Sequence, residues 1–281
     1  MEAQLEQIRD AQKTIWNKFS PGWKKWDDLT MEFLKPAGDK MVSLINPQDD
    51  DVILDIAAGT GEPGLTIASL LKNGKVISTD LSEGMQEVAR EKAAARGLAN
   101  FETKVADVSE LPFDDNTFDA ITCRFGFMFF PDMEIAAKEM ARALKNGGRI
   151  ATAVWNIPEK NFWVTAIMGI ISKNMKIPKP APGAPWIFRC ADPDLMEEIF
   201  RKAGLKNISI TEVEGKLNTG TVERYWNMST EIGGGIVAAL SQADDELVAK
   251  IKNEVFDLIH QKYPDGNVIF DTSALVIYGE K

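Results

Sequence analysis

At 281 residues, 44% of them hydrophobic and 26% charged, the chain can bury a full core, and one large α/β domain over residues 1–281 accommodates that length better than two small ones. Its 42 acidic against 32 basic residues leave a net charge of −10, which repels a phosphate backbone and argues against a nucleic-acid partner. Two cysteines (Cys123, Cys190) in no metal or redox spacing, one histidine, a polar start and no apolar run long enough for a bilayer point to a reduced, cytoplasmic protein with no metal set and no membrane span.

Leu5, Ile8, Ile15, Trp16 and Phe19 fall on one helical stripe, and Ser20-Pro21-Gly22 reads as its stop. Trp23 and Trp26 follow, then a second helical pattern through Leu29, Phe33, Leu34, Met41, Leu44 and Ile45, with a break expected at Pro36. Stripes at this spacing suit core packing.

A polar turn from Asn46 then leads into the apolar run Val52-Ile53-Leu54-Asp55-Ile56, which breaks into Ala57-Ala58-Gly59-Thr60-Gly61-Glu62-Pro63-Gly64. That order predicts strand, tight loop and helix. Glycines let the backbone approach a ligand, and the free N–H groups at the helix start favour a carboxylate or phosphate. Gly59, Gly61 and Gly64 with Asp80 beyond them match the dinucleotide fingerprint. Asp55 departs from that fingerprint, because a dehydrogenase strand usually carries only apolar residues there.

Beyond the loop the pattern alternates: a strand at 75–79 ending in Asp80, a helix at 84–96 stopped by Gly97, strands at 101–105 and 118–124, a helix at 133–144 and a strand at 148–155. Such alternation predicts a parallel sheet with helices on both faces and ligands at the carboxyl ends of its strands. Two insertions interrupt it. Residues 156–190 hold an apolar helix at 162–171 and a cluster of Pro178, Pro180, Pro182 and Pro185, which excludes regular structure. Residues 221–263 are helical, with Leu247, Ile251, Val255 and Leu258 on one stripe and His260 opposite it on a solvated face. A helix at 192–203 and a strand at 207–213 separate the two, and a strand at 268–278 closes the chain.

Several polar and aromatic residues follow strand ends. Asp80, before Leu81 and Ser82, suits either the two hydroxyls of an adenosine ribose or an ordinary helix N-cap. Met85 suits an apolar wall beside adenine or the core. After the fourth strand, Arg124 can pair with a carboxylate, and Phe125 or Phe127 can present a ring to a cation or pack beneath the next helix. Tyr225, Trp226 and Met228 suit a ligand pocket or the core of a small helix.

With Asp55 included, the series Asp55, Ala57, Gly59, Gly61 resembles motif I of the class I S-adenosylmethionine-dependent methyltransferases, Ala57 standing where many members carry glycine. The stretch Leu111-Pro112-Phe113 to Phe118-Asp119, just after Ala106-Asp107-Val108, resembles the family's LPF-x-x-x-x-FD segment. Arg142-Ala143-Leu144-Lys145-Asn146-Gly147-Gly148 resembles its R-x-L-K-P-G-G turn, with Asn146 in place of proline. As a set these are similar to the ubiquinone/menaquinone (UbiE-like) small-molecule branch, although the segment from Phe19 to Trp26 lacks that branch's His-Arg pair.

The resemblance implies a Rossmann-like, seven-stranded, mostly parallel sheet with an antiparallel last strand. It implies S-adenosylmethionine as cofactor, held by Asp55, Ala57, Gly59, Thr60, Gly61, Asp80, Leu81, Met85, Ala106, Asp107, Val108 and Arg124, with Asp55 serving the amino-acid tail and Asp107 the adenine amino group. The acceptor is then a small, apolar or aromatic molecule, with Trp16, Phe19, Trp23, Phe125, Phe127, Trp155, Trp163 and Tyr225 as candidates for its side of the site. Residues 1–45 become a helical cap over a cofactor core at 46–155, and the two insertions a lid on the acceptor side. No histidine in the cleft and no Asn-Pro-Pro-Tyr after the fourth strand leave proximity and desolvation as the expected catalysis. An NAD-dependent oxidoreductase on the same fingerprint, and a cofactor-binding protein without transfer, are the competing readings.

Overall fold

Two helices open the chain, α1 (Glu2–Lys25) and α2 (Asp27–Ile45), in a computed structural model that describes residues 2–177 and 184–281. The expected cluster at Pro178, Pro180 and Pro182 lies outside the described residues. Helix α1 runs through Ser20-Pro21-Gly22 rather than stopping there. Pro21 has no N–H for the carbonyl one turn back, and the Ser20 hydroxyl donates to that Asn17 carbonyl at 3.0 Å in its place. Helix α2 likewise continues through Pro36, because Leu29, Phe33, Leu34, Ala37, Met41 and Ile45 form one buried stripe along it. Burying that stripe outweighs the roughly 3 kcal/mol that an interior proline costs.

The alternation follows as β1 (Val52–Ile56), α3 (Gly64–Leu70), β2 (Lys75–Asp80), α4 (Glu83–Ala95), β3 (Phe101–Val105), β4 (Phe118–Arg124), α5 (Met133–Ala143) and β5 (Leu144–Trp155). Then come α6 (Phe162–Asn174), α7 (Pro193–Lys202), β6 (Lys206–Gly220), α8 (Val222–Ile232), α9 (Gly234–Leu240), α10 (Asp245–Lys262) and β7 (Val268–Glu280). The seven strands form one sheet in the order β3-β2-β1-β4-β5-β7-β6. Strands β1 to β5 are parallel, and β7 is antiparallel to both neighbours, as the resemblance implied.

Two strands are longer than expected. Strand β5 starts at Leu144 opposite Phe118, and the ladder's register slips before resuming at Ala120 opposite Arg149, so the Gly147-Gly148 turn is absorbed as an irregularity inside the strand. Strand β6 reaches Gly220 because β7 offers a backbone partner along its whole length, and along this edge strand exposed side chains largely alternate with partly covered ones. Strand order reverses between β1 and β4, so the chain leaves their carboxyl ends in opposite directions and opens a crevice there. His260 is exposed on α10, away from buried Ile251, Val255 and Ile259, as its stripe predicted. No helix among the described residues is long and apolar enough to cross a membrane.

Candidate functional site

The turn after β1 carries its chain with φ of 51° at Ala57, 54° at Gly59 and 103° at Gly61. A side chain at Ala57 in this left-handed region costs about 1–2 kcal/mol. A Cβ on Gly59 would meet nothing within 4 Å, so the loop's outer face is open to a ligand. Across the turn, a Cβ on Gly126 would stand 2.4 Å from the Ala57 methyl carbon, which requires glycine at that position.

Asp55 lies behind this loop, not in front of it. It is fully buried, with Oδ1 accepting from the Thr122 hydroxyl at 2.7 Å and Oδ2 from the Gly64 N–H at 3.0 Å. Burial pushes its carboxyl up to about 7 against the pull of those two hydrogen bonds. The expected contact with an amino-acid tail is therefore corrected: Asp55 ties the start of α3 to β1 and β4, and its full burial keeps it from a ligand.

Asp80 does face the crevice. Its Oδ2 accepts from the Gly59 N–H at 3.0 Å and its Oδ1 from the Ser82 N–H at 2.8 Å, so each oxygen keeps a lone pair for a further donor. The N-cap of α4 is Ser82, whose hydroxyl accepts from the Met85 N–H at 3.1 Å, and this frees Asp80 from that duty. The surrounding protein pushes the Asp80 carboxyl up to about 6 although the residue remains partly accessible. Leu81 is half-buried beside it and Met85 is buried in the first turn of α4. The end of β3 joins the same rim, with the Ala106 N–H on the Asp80 carbonyl at 3.1 Å. Asp107 caps a short turn at Val108–Glu110 by accepting from the Ser109 N–H at 2.8 Å, and Val108 is buried beneath it.

Helix α1 lies across this rim and touches three consecutive strand ends. Arg9 Nη1 is 3.7 Å from Asp107 Oδ2, Asn17 Oδ1 accepts from the Ser82 hydroxyl at 2.7 Å and the Gly84 N–H at 3.2 Å, and Trp16 meets Phe129 edge-on at 5.2 Å. Trp23 is half-buried, 6.5 Å from Trp16. Asn17 was not among the expected site residues; a lone polar side chain on an otherwise solvated helix face carries no signal in the sequence.

Arg124 leaves the end of β4 toward α2. Together with Met31, Lys35, Gly38, Glu62, Pro63 and Arg96 it lines a cavity of about 240 Å³. Its guanidinium makes no hydrogen bond or ion pair among the described residues, and burial pulls its pKa down. Thr60, inside the glycine loop, donates its hydroxyl to Asp27 Oδ1 at 3.3 Å.

Next to Arg124, Phe125 stacks on Trp155 at 4.2 Å, and Phe33 also stacks on Trp155, at 5.3 Å. Trp163 closes the group, 5.1 Å from Trp155 and 5.2 Å from Phe33. Phe33 falls in the stripe expected as core or as cap and not among the named acceptor-side residues, since its helical spacing does not tell which ring borders a site. Three expected acceptor-side residues are corrected to the core. Phe127 is fully buried against Phe130 and Phe200. Tyr225 is fully buried on Phe270 and donates its hydroxyl to the Trp163 carbonyl. Phe19 is buried against Gly234 of α9. In each case a partner from a distant segment claims the ring.

A family model described as a methyltransferase domain matches residues 53–148. The demethylmenaquinone methyltransferase of Bacteroides fragilis is 36% identical over 138 residues, 48% of this chain and 55% of the relative, so the chain spans about half the length of that protein. The demethylmenaquinone methyltransferase of Symbiobacterium thermophilum is 33% identical over 198 residues, 65% of this chain and 74% of the relative. Among solved structures, the YcgJ protein of Bacillus subtilis superposes with a TM-score of 0.58 at 22% identity, covering 87% of this chain and 97% of that one, a likeness of fold.

Proposed function

We propose that this chain, which belongs to the class I S-adenosylmethionine-dependent methyltransferases in their UbiE-like small-molecule branch, transfers a methyl group to a small, largely apolar acceptor. The observation that carries the reading is Asp80: a carboxylate with spare lone pairs, bonded to Gly59 of a loop whose outer face is open. Such a carboxylate accepts both hydroxyls of a ribose. The rim of Ala106, Asp107 and Val108 then borders the adenine, and the unpaired Arg124 takes the carboxylate of the amino-acid tail.

S-adenosylmethionine, when bound, supplies a methyl carbon made electrophilic by its sulfonium sulfur. The protein's part is to align an acceptor with that carbon and keep water away. Half-buried Phe125 and Trp163, backed by buried Trp155 and Phe33, offer a surface of rings suited to an apolar, planar acceptor. The relatives' names, which point to demethylmenaquinone, agree with that chemistry, while the missing His-Arg pair in this chain argues for a different ring system. His260 is remote from that surface in character, being exposed on α10, so no base is assigned and the acceptor's own ionisation governs its reactivity. The net charge of −10 speaks against nucleic acid, and two buried, free thiols support a cytoplasmic setting.

Calorimetry with four ligands tests the reading. S-adenosylmethionine and S-adenosylhomocysteine are expected to bind and NAD and NADP not to; binding of NAD alone would overturn it.

The cap at 1–45 and the insertions at 156–190 and 221–263 are proposed to close over the acceptor. The three contacts of α1 on the ends of β2, β3 and the segment after β4 support this. Protease cleavage within α1 is expected to slow when S-adenosylhomocysteine is present, and equal rates with and without it would count against closure.

A further inference from the structure

The methyltransferase reading leaves half of the cofactor's amino-acid tail without a partner. Arg124 is a match for its carboxylate, but the ammonium on the adjacent carbon also needs an acceptor as it leaves water. The carboxylates whose charge acts on Arg124 are Glu62, Asp55 and Asp27. Asp55 is excluded because it is fully buried behind the glycine loop. Glu62 offers no donor-free oxygen, since Oε1 holds Arg96 at 2.6 Å and Oε2 holds the Thr66 N–H and hydroxyl at 3.0 and 2.7 Å. Asp39, which also lines the cavity, has both oxygens on Lys35 at 2.6 Å.

Asp27 differs. Its Oδ1 accepts from Lys92 at 2.7 Å and from the Thr60 hydroxyl at 3.3 Å, whereas its Oδ2 accepts no hydrogen bond among the described residues. It is the first residue of α2, one turn before Met31, and Met31, Lys35 and Gly38 continue the same helix face along the cavity wall. Asp27 lies one turn beyond the cavity lining on α2 and touches the glycine loop through Thr60.

We propose that Asp27, through its Oδ2, binds the ammonium group of the cofactor's amino-acid tail while Arg124 binds the carboxylate. The proposal rests on the methyltransferase reading and adds a residue that neither the glycine motif nor the strand ends contain. It also gives the α1–α2 junction a direct stake in cofactor binding, since Asp27 follows Trp26 at that junction.

Calorimetry on the full chain separates this from a structural role. Asp27→Asn keeps an oxygen for Thr60 and is expected to weaken S-adenosylhomocysteine about 10- to 100-fold, the loss of one charge-assisted hydrogen bond. Binding of 5′-methylthioadenosine, which has the adenosine and sulfur but no amino-acid tail, is expected to stay within about twofold of wild type. Decarboxylated S-adenosylhomocysteine, which keeps the amine, is expected to respond to Asp27→Asn and not to Arg124→Met. Equal losses for S-adenosylhomocysteine and methylthioadenosine, or no loss for the former, would overturn the assignment of Asp27. Failure of the wild-type chain to bind S-adenosylhomocysteine at all would instead overturn the methyltransferase reading on which it rests.

Discussion

Asp80→Ala is expected to weaken S-adenosylhomocysteine binding by about two orders of magnitude or more, since it removes acceptors for two hydroxyls at roughly 1.5–3 kcal/mol each. The variant also strands the N–H groups of Gly59 and Ser82, which Asp80 holds at 3.0 and 2.8 Å. Asp80→Asn, which keeps one acceptor oxygen, is therefore the gentler companion, and its affinity should fall between the two. Because only the carboxylate accepts from both hydroxyls and its pKa is pushed up to about 6, wild-type affinity should decline by up to about tenfold per unit as pH drops below that value. Asp80→Asn should show no such decline. Titration of both proteins across pH 5 to 8 by calorimetry measures this, and a parallel slope in the two would mean that another group sets it.

The second large effect is on stability. Asp55→Ala is expected to cost about 2–6 kcal/mol, because it leaves the Thr122 hydroxyl and the Gly64 N–H unpaired in the core at roughly 1–3 kcal/mol each. Denaturant unfolding reads the loss directly. The pH dependence has a definite sign. Asp55 is raised from 3.8 to about 7 on folding, so the folded state holds the proton more tightly. Its contribution to stability is fully present below the unfolded value and is lost as pH rises through about 7. Asp55→Asn, which offers an oxygen to Gly64 and an amide to Thr122, should flatten that slope, and an unchanged slope would place its origin elsewhere. For Asp80 the same sign applies to the free protein. Acid therefore favours its folded form while disfavouring its cofactor.

These effects depend on residues whose types were legible in the sequence and whose orientations were not. The alternation from Val52 to Trp155 reads well because each of its strands and helices is bounded by short-range signals: glycines, a capping serine, β-branched runs. Asp55 stood out for its position in an apolar strand, but whether it faced the ligand or the strand's other neighbours depended on Thr122, far along the chain. Phe127 and Tyr225 stay open between pocket and core in the sequence for the same reason, since an aromatic residue next to a strand end has two faces to choose from and the partner that decides lies elsewhere. The stop expected at Pro21 failed on a single hydroxyl, that of Ser20, which replaces the missing donor. The length of β6 was set by β7 alone, a pairing with no local trace.

The close approach of Gly126 to Ala57 has a consequence for how this loop can change over time. The 2.4 Å separation between the Ala57 methyl and a Cβ at position 126 means that the two positions cannot both carry a side chain, and with glycine at 57 a Cβ at 126 would still press on Cys123 Sγ at 3.2 Å, so that sulfur must shift slightly. Exchange of the two residues must pass through the state with glycine at both positions, which is roomy, because the state with alanine at both is blocked. Order of substitution thus decides which descendants of this loop are reachable. A methyl at position 126 is open only to a lineage that has first given one up at position 57.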